Sequence, residues 1–274
     1  LKFKFAKMHA LGNDFVVIDG VNQSIQLSAD EVRALGDRHR GIGFDQLLLV
    51  ESTTNPAADF RYRIFNADGG EVAQCGNGAR CLARFIRERG LSDKAEVSVE
   101  TLEGLMQLRL LAADTASVSL GVPRFKPQEV PHQLPGQAPL YQIEMAGKFF
   151  DVMPVNVGNP HIVIRVDDLS KVDVAAIGAV LGKHPAFPQG INVGFVQIES
   201  PEHLKLRVYE RGAGETQACG SGACAAVVIA RCQGWCQGEV LVSQQGGELQ
   251  VRWGGIGEKV WLSGSAEQVF NGEF

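Results

Sequence analysis

The sequence predicts an α+β fold of two pseudo-symmetric repeats, each a curved antiparallel β-sheet or barrel wrapped around one central helix. Three observations predict it. The stretch Glu71-Val72-Ala73-Gln74-Cys75-Gly76-Asn77-Gly78-Ala79 returns 144 residues later as Glu215-Thr216-Gln217-Ala218-Cys219-Gly220-Ser221-Gly222-Ala223. Short alternating apolar runs bounded by Gly, Asn and Pro fill much of the chain, which is the pattern of half-buried strands. The segment after Cys219 holds Ala223, Ala225, Ala226, Val227, Val228, Ile229 and Ala230 with no charge before Arg231, so it reads as a helix enclosed on every side.

In chain order, the N-terminal Leu1 to Phe5 and the alternation from Phe3 to Met8 predict a strand. Phe15-Val16-Val17-Ile18 predicts a second, with the turn at Gly12-Asn13. Ser28 with Glu31 forms a capping box ahead of Val32, Ala34 and Leu35, which places a helix start. Leu47 to Val50 reads as a buried strand. Phe60, Tyr62 and Ile64 share one face of the next, and Asn66-Ala67-Asp68-Gly69 turns the chain toward Cys75. From Asn77 to Arg89 the period is helical, with Leu82, Phe85 and Ile86 on one face and Gly90 at the stop. Strands follow at Val97 to Thr101, Leu105 to Leu110 and Val118 to Leu120. Pro123, Pro127, Pro131, Pro135 and Pro139 then fall at every fourth position, where neither a helix nor a central strand tolerates them. This segment is expected to be an extended surface connection between the halves, in preference to a Pro-rich ligand for a partner.

After it the first half is replayed. Gly158-Asn159 answers Gly12-Asn13, a helix near Asp173 to Leu181 answers Ser28 to Gly36, Asn192 answers Gln46, and Gly264 answers Gly121. Two copies make a duplication and not a solenoid. The expected domains are residues 1–121 and 122–264. Residues 265–274 lie outside the repeat and are expected to add a strand to the first half, or to a neighbouring subunit.

Composition narrows the partners. The 274 residues are 45% hydrophobic, ample for buried cores, and the net charge is -5 with no basic block, which argues against nucleic acid. No apolar run is long enough for a bilayer. The N-terminus lacks the apolar stretch of a signal peptide, so the cytoplasm is expected. Small polar molecules remain the expected partners. The six cysteines favour thiols over disulfides in that compartment. Only Cys232 and Cys236 have a zinc-like spacing, and no second pair or nearby His completes four ligands, so no metal is expected.

A cysteine just before a helix meets unpaired N–H groups and the positive end of the helix dipole. That position predicts a thiol pKa lowered from about 8.5 into the range of roughly 3.5 to 7.5, suited to a base near neutral pH. Gly76, Gly78, Gly220 and Gly222 leave the same amides open to a carboxylate. If the halves face each other about a pseudo-twofold axis, Cys75 and Cys219 approach one carbon from opposite sides. One thiolate then removes an α-proton while the opposing thiol delivers another, and the stereocentre inverts without a cofactor.

Other readings compete. One glycine-rich helix start could be close packing, though two with matched flanks argue against it. Two thiols could form a redox disulfide, but Cys-x-x-Cys is absent. Gly220-x-Gly222-x-x-Ala225 fits a loose dinucleotide fingerprint, which needs a βαβ unit and an acid ending the second strand. A fourth alternative is an amino-acid-binding module without catalysis. Asn13, Asn66 and Asn159 beside Gly or Pro could be turn formers, Glu210 and Arg211 a surface pair, and His161 a structural histidine.

The motifs Gly12-Asn13-Asp14-Phe15, Gly41-Ile42-Gly43-Phe44-Asp45-Gln46, Phe65-Asn66-Ala67-Asp68-Gly69, Gln74-Cys75-Gly76-Asn77-Gly78-Ala79-Arg80-Cys81, Gly158-Asn159-Pro160-His161 and Tyr209 to Ala223 together resemble the diaminopimelate epimerase family from end to end. Proline racemase-like relatives of the same superfamily typically carry Cys-Gly-His where this chain has Cys75-Gly76-Asn77. The resemblance implies interconversion of LL- and meso-diaminopimelate without pyridoxal phosphate or metal, for lysine and cell-wall precursor synthesis, by a homodimer. On the matching positions it makes Cys75 and Cys219 the acid–base pair, and Gly76, Asn77, Gly220 and Ser221 the contacts of the reacting end. Asn13, Gln46, Asn66, Asn159, Asn192, Glu210 and Arg211 are the implied remaining substrate contacts, while His161 and Glu210 tune the thiols. Cys81, Cys224, Cys232 and Cys236 are expected to pack without chemistry.

Overall fold

The computed structural model describes residues 2–73, 75–111, 115–134, 140–145 and 147–274. Leu1, Gln74, Pro135 and Pro139, on which the sequence expectations also drew, lie outside the described residues. The chain forms two compact units, Leu1–Ser119 with Ser263–Phe274, and Leu120–Leu262.

The first unit begins with β1 (Lys4–Ala10) and β2 (Asn13–Asp19), an antiparallel hairpin. Its turn is Leu11-Gly12, one residue earlier than expected, with φ of 54° and 84°. Two consecutive positive φ values are what a tight hairpin requires, and they make Asn13 the first residue of β2. After α1 (Ala29–Gly36), capped by the predicted Ser28–Glu31 box, β3 (Gln46–Glu51) lies parallel to β2. β4 (Phe60–Asn66) runs antiparallel to β3 and pairs with the short β5 (Glu71–Val72). Then come α2 (Gly76–Glu88) and β6 (Glu96–Thr101), which is parallel to β4, followed by the antiparallel β7 (Gly104–Leu110) and β8 (Thr115–Ser119).

The second unit repeats this order. β9 (Tyr141–Met145), β10 (Lys148–Asn156) and β11 (Pro160–Arg165) are antiparallel neighbours. α3 (Val174–Leu181), capped by Asp173, leads to β12 (Asn192–Ser200), which is parallel to β11. β13 (His203–Glu210) and β14 (Gly214–Thr216) precede α4 (Gly220–Cys232). β15 (Glu239–Gln244) lies parallel to β13, followed by the antiparallel β16 (Gly247–Trp253). After the third residue of β17 (Val260–Ser265) the chain returns to the first unit, where β18 (Glu267–Glu273) pairs antiparallel with β1.

The duplication extends to register. Phe15 pairs with Gln46 across β2 and β3, and His161 pairs with Asn192 across β11 and β12. The α+β class stands, but the sheets expected to be antiparallel are mixed. Helices α1 and α2, and their repeats α3 and α4, serve as crossovers, and a crossover is what allows the next strand to lie parallel. In the first unit α2 packs on β1, β2, β3, β7 and β8; in the second α4 packs on β10, β11, β12, β13 and β16. Phe15 and Leu48 face α2 at Gly78. Their neighbours Val16, Ile18, Leu47 and Leu49 belong to the opposite layer with Val32 and Leu35 of α1. Each central strand is thus buried on both faces.

The Pro-rich segment differs from its expectation as a surface connection. Within its described part Arg124 bridges to Asn156, the Glu129 and Val130 amides bond to the Lys126 carbonyl, and Gln133 N–H donates to the Ala186 carbonyl. Val130 and Leu134 enter the core of the second unit with Ile143, Val152 and Phe195. The prolines preclude regular structure, while the apolar residues between them still gain by burial.

The recurring Glu71 and Glu215 prove to be clamps. Arg63 Nε and Nη2 grip both carboxylate oxygens of Glu71 at 2.8 Å, tying β4 to β5. Arg207 grips Glu215 in the same way at 2.7 and 3.1 Å, tying β13 to β14. Each fork fixes the strand that delivers the chain to a cysteine.

Candidate active site

In the first unit Cys75 is the N-cap of α2, and its Sγ accepts the Gly78 N–H at 3.3 Å. Gly78 has to be glycine, since a Cβ there would lie 2.7 Å from the Tyr62 hydroxyl and 3.1 Å from Leu48 Cδ2. The Cys75 thiol points at Asn13 Oδ1, 3.9 Å away, and the same oxygen accepts from Asn77 Nδ2 at 3.3 Å. Asn77 Oδ1 in turn accepts from Arg80 Nη2 at 3.1 Å. Asn13, Cys75 and Asn77 therefore form one contact group, beside Gly76, the first residue of α2. Gln46 and Asn66 form another, with Gln46 Nε2 donating to Asn66 Oδ1 at 2.9 Å across paired ends of β3 and β4.

In the second unit Cys219 is the N-cap of α4, and its Sγ accepts the Gly222 N–H at 3.3 Å, matching the first unit. Cys219 N–H donates to Gln244 Oε1 at 2.8 Å, and Sγ lies 3.5 Å from Ser221 Oγ, one residue beyond Gly220. His161 Nε2 stands 3.1 Å from Ser221 Oγ and 2.8 Å from Asn159 Oδ1. An amide oxygen can only accept, so Nε2 carries the proton. Glu210 Oε1 accepts from the Thr216 hydroxyl at 2.6 Å. Both polar atoms of Asn192 are engaged with backbone: Oδ1 accepts the Arg211 N–H and Nδ2 donates to the Pro160 carbonyl, each at 2.8 Å. Arg211 reaches the Gln189 carbonyl through Nη1. Cys219, Ser221, His161 and Asn159 thus form one chain of contacts, and Asn192 fixes the Arg211 backbone.

Electrostatics correct one expectation. The Cys219 thiol is pushed up, not down, from its ordinary range. Burial is the main cause and the Glu210 carboxylate adds to it, outweighing the Ser221 hydroxyl and the Gly222 amide, which favour the thiolate. His161 is fully buried, and desolvation with help from Arg211 lowers its pKa to about 3, so the imidazole is neutral. Cys81, inside α2, is likewise pushed up by burial, which keeps it an unreactive thiol.

The sequence model of diaminopimelate epimerases matches residues 5–126 and 153–269. The chain belongs to the diaminopimelate epimerase family. It is 50% identical over 273 residues to a diaminopimelate epimerase of Nitrosospira multiformis, covering 100% of this chain and 98% of the relative. To that of Pseudomonas syringae pv. syringae it is 48% identical over 270 residues, 98% of each chain. Among solved structures, a phenazine biosynthesis protein of the PhzF family from Bacillus anthracis has the same fold, with a TM-score of 0.68 at 18% identity over 100% of this chain and 99% of that one.

Within this epimerase-family chain, four supporting residues had no role in the site assigned from the sequence. Tyr62 packs its hydroxyl against Gly78, Arg80 braces Asn77, Asp45 holds Asn13, and Gln244 accepts the Cys219 amide. Arg80 could have been found, since a guanidinium one turn beyond Asn77 on the buried face of a helix needs a partner there. Gln244 also stands where the dinucleotide reading needs an acid. The strand–helix–strand of β13, α4 and β15 exists, but β15 ends in an amide.

Proposed function

We propose that this protein interconverts LL- and meso-diaminopimelate by proton transfer between Cys75, Cys219 and one α-carbon. The observation that carries the reading is the matched pair of thiols at two helix starts, each accepting an amide N–H from the residue three positions on at 3.3 Å. Inversion needs a base and an acid on opposite faces of the carbon, and two equivalent thiols supply both. One thiolate takes the α-proton, charge moves onto the substrate carboxylate, and the other thiol returns a proton to the far face. The proton count is unchanged and the roles exchange in the reverse direction. Burial and Glu210 favour the thiol form of Cys219.

The amides of Gly76, Asn77, Gly220 and Ser221 would hold the carboxylate, where charge builds in the transition state. Asn13, Gln46, Asn66, Asn159, Asn192, Glu210 and Arg211 would bind the remainder of the substrate, with guanidinium for carboxylate and carboxylate for ammonium. His161 and Glu210 would set the thiol pKa values. Because two side chains perform both transfers, neither pyridoxal phosphate nor metal is called on. A homodimer in the cytoplasm, supplying meso-diaminopimelate for lysine and peptidoglycan precursors, completes the reading.

The test is incubation of reduced protein with LL-diaminopimelate in deuterated water, alongside Cys75→Ala and Cys219→Ala. Deuterium at one α-carbon with meso product, lost in both variants, is the expected result. No exchange by folded, reduced wild type sinks the assignment.

A further inference from the structure

Asn13 presents its oxygen, not its nitrogen, to Cys75, and that choice is made elsewhere. Asn13 Nδ2 donates to Asp45 Oδ2 at 2.9 Å, which leaves Oδ1 for the Cys75 thiol at 3.9 Å and Asn77 Nδ2 at 3.3 Å. Asp45 is itself held from three directions. Its Oδ2 also accepts the Asp14 N–H at 3.1 Å, its Oδ1 accepts from Arg38 Nη2 at 2.8 Å, and its own N–H donates to Asp14 Oδ1 at 3.0 Å. Arg38 closes the network with a fork on Asp14 at 2.7 and 3.0 Å, and Lys7 Nζ meets Asp14 Oδ2 at 2.6 Å and the Gly43 carbonyl.

The duplication supplies an internal control. The matched registers of β2 with β3 and β11 with β12 put Pro160 at the place of Asp14, Ile191 at the place of Asp45, and His161 at the place of Phe15. The charge network is thus confined to the first unit. In the second unit the equivalent amide, Asn159, gives its oxygen to His161 Nε2 at 2.8 Å. One repeat orients its asparagine with permanent charges and the other with a buried neutral imidazole.

We propose that Asp45, secured by Arg38 and Asp14, is a positioning residue that fixes the orientation of the Asn13 amide and thereby favours the protonated form of Cys75. An acceptor facing a thiol stabilises S–H, whereas a flipped amide would offer N–H and stabilise the thiolate. This rests on the reading of Cys75 as an acid–base thiol, but its test does not need turnover. Among the described residues, Tyr62 of β4 and Cys81 of α2 stand close enough to Cys75 to feel its charge, both buried and in their neutral forms, while Lys7, Asp14, Arg38 and Asp45 act through Asn13.

The experiment is the pH dependence of iodoacetamide alkylation at Cys75, read by peptide mass spectrometry on the full-length protein, with the exposed Cys232 as internal reference. Asp45→Ala removes the acceptor and lets the amide turn. Asp45→Asn removes the charge but keeps an acceptor facing the two donors, Asn13 Nδ2 and the Asp14 N–H. The Cys75 midpoint is expected to fall by about one pH unit in Asp45→Ala, the worth of one hydrogen bond, and to stay within a few tenths of wild type in Asp45→Asn. The Cys232 midpoint is expected not to move, and Cys219 is expected to stay protected by its burial, which certifies the fold. Asp45 is 45% exposed in its side chain, so truncation is tolerated, and Asp45→Ser is a second truncation with the same expected outcome. An unchanged Cys75 midpoint in Asp45→Ala, or equal shifts in Asp45→Ala and Asp45→Asn, overturns the proposal. Absence of α-proton exchange in wild type would overturn the assigned activity and leave these midpoints as an independent result.

Discussion

The backbone N–H of Gly222 meets Cys219 Sγ at 3.3 Å, and the space beside it admits no side chain. A Cβ on Gly222 would stand 2.8 Å from Val208 Cγ2 and 3.2 Å from the sulfur itself. Gly222→Ala is therefore expected to lose about 1–3 kcal/mol by overpacking and to draw the amide away from the thiol. Urea denaturation reads the first effect as a lower midpoint at unchanged slope, and α-proton exchange reads the second as a fall of more than tenfold. Exchange at the wild-type rate would mean that the amide does not hold the reactive sulfur.

His161 makes stability depend on pH. Its folded-state pKa is lowered from 6.5 to about 3, so between those values the unfolded chain binds a proton that the folded one refuses. The contribution is complete above pH 6.5 and is lost progressively as pH falls toward 3, at up to about 1.4 kcal/mol per pH unit for one proton. His161→Phe, which installs the residue found at Phe15 of the first unit, removes that slope. Urea midpoints at pH 7, 5.5 and 4.5 are expected to fall faster in wild type than in the variant. Parallel lines would show that the imidazole already titrates in the folded protein.

Tyr62 buries its hydroxyl with no hydrogen-bond partner among the described residues. At the matching place 144 positions on stands Leu206, buried as completely in β13. The fold accepts an aliphatic side chain there, so Tyr62→Phe is expected to keep or raise stability, by about 1 kcal/mol where the desolvation of the hydroxyl is relieved. A loss of more than 1 kcal/mol in thermal or urea unfolding would reveal a bond that the hydroxyl makes.

Local chemistry was legible in the chain. The Ser28–Glu31 box caps α1, Cys75 and Cys219 stand at helix N-termini, and the charge-free run after Cys219 becomes a helix buried from Gly222 to Ala230. Each depends on residues within a turn or two of one another, where propensity and periodicity are written directly. The parallel pairs β2–β3 and β11–β12 were not legible, because strand direction depends on where a crossover helix returns the chain. Val130 and Leu134 were hidden behind prolines, whose signal concerns backbone conformation and says nothing about burial.

The sequence by itself determined the duplication, the two cysteines with their glycine-rich helix starts, the caps and the family. Only the tertiary structure decided the direction in which Cys219 is pushed, what Glu71 and Glu215 are for, and which atom of Asn13 faces Cys75. The physical reason is range. A cap or a positive-φ glycine is settled by neighbours in the chain, whereas desolvation, a bidentate ion pair and an amide's orientation sum over groups that folding brings from distant positions. Glu71 met Arg63 across a strand pair, and Asp45 met Asn13 from 32 residues away. The helix dipole at Cys219 was foreseeable, but the burial that outweighs it exists only once the sheet has closed around α4.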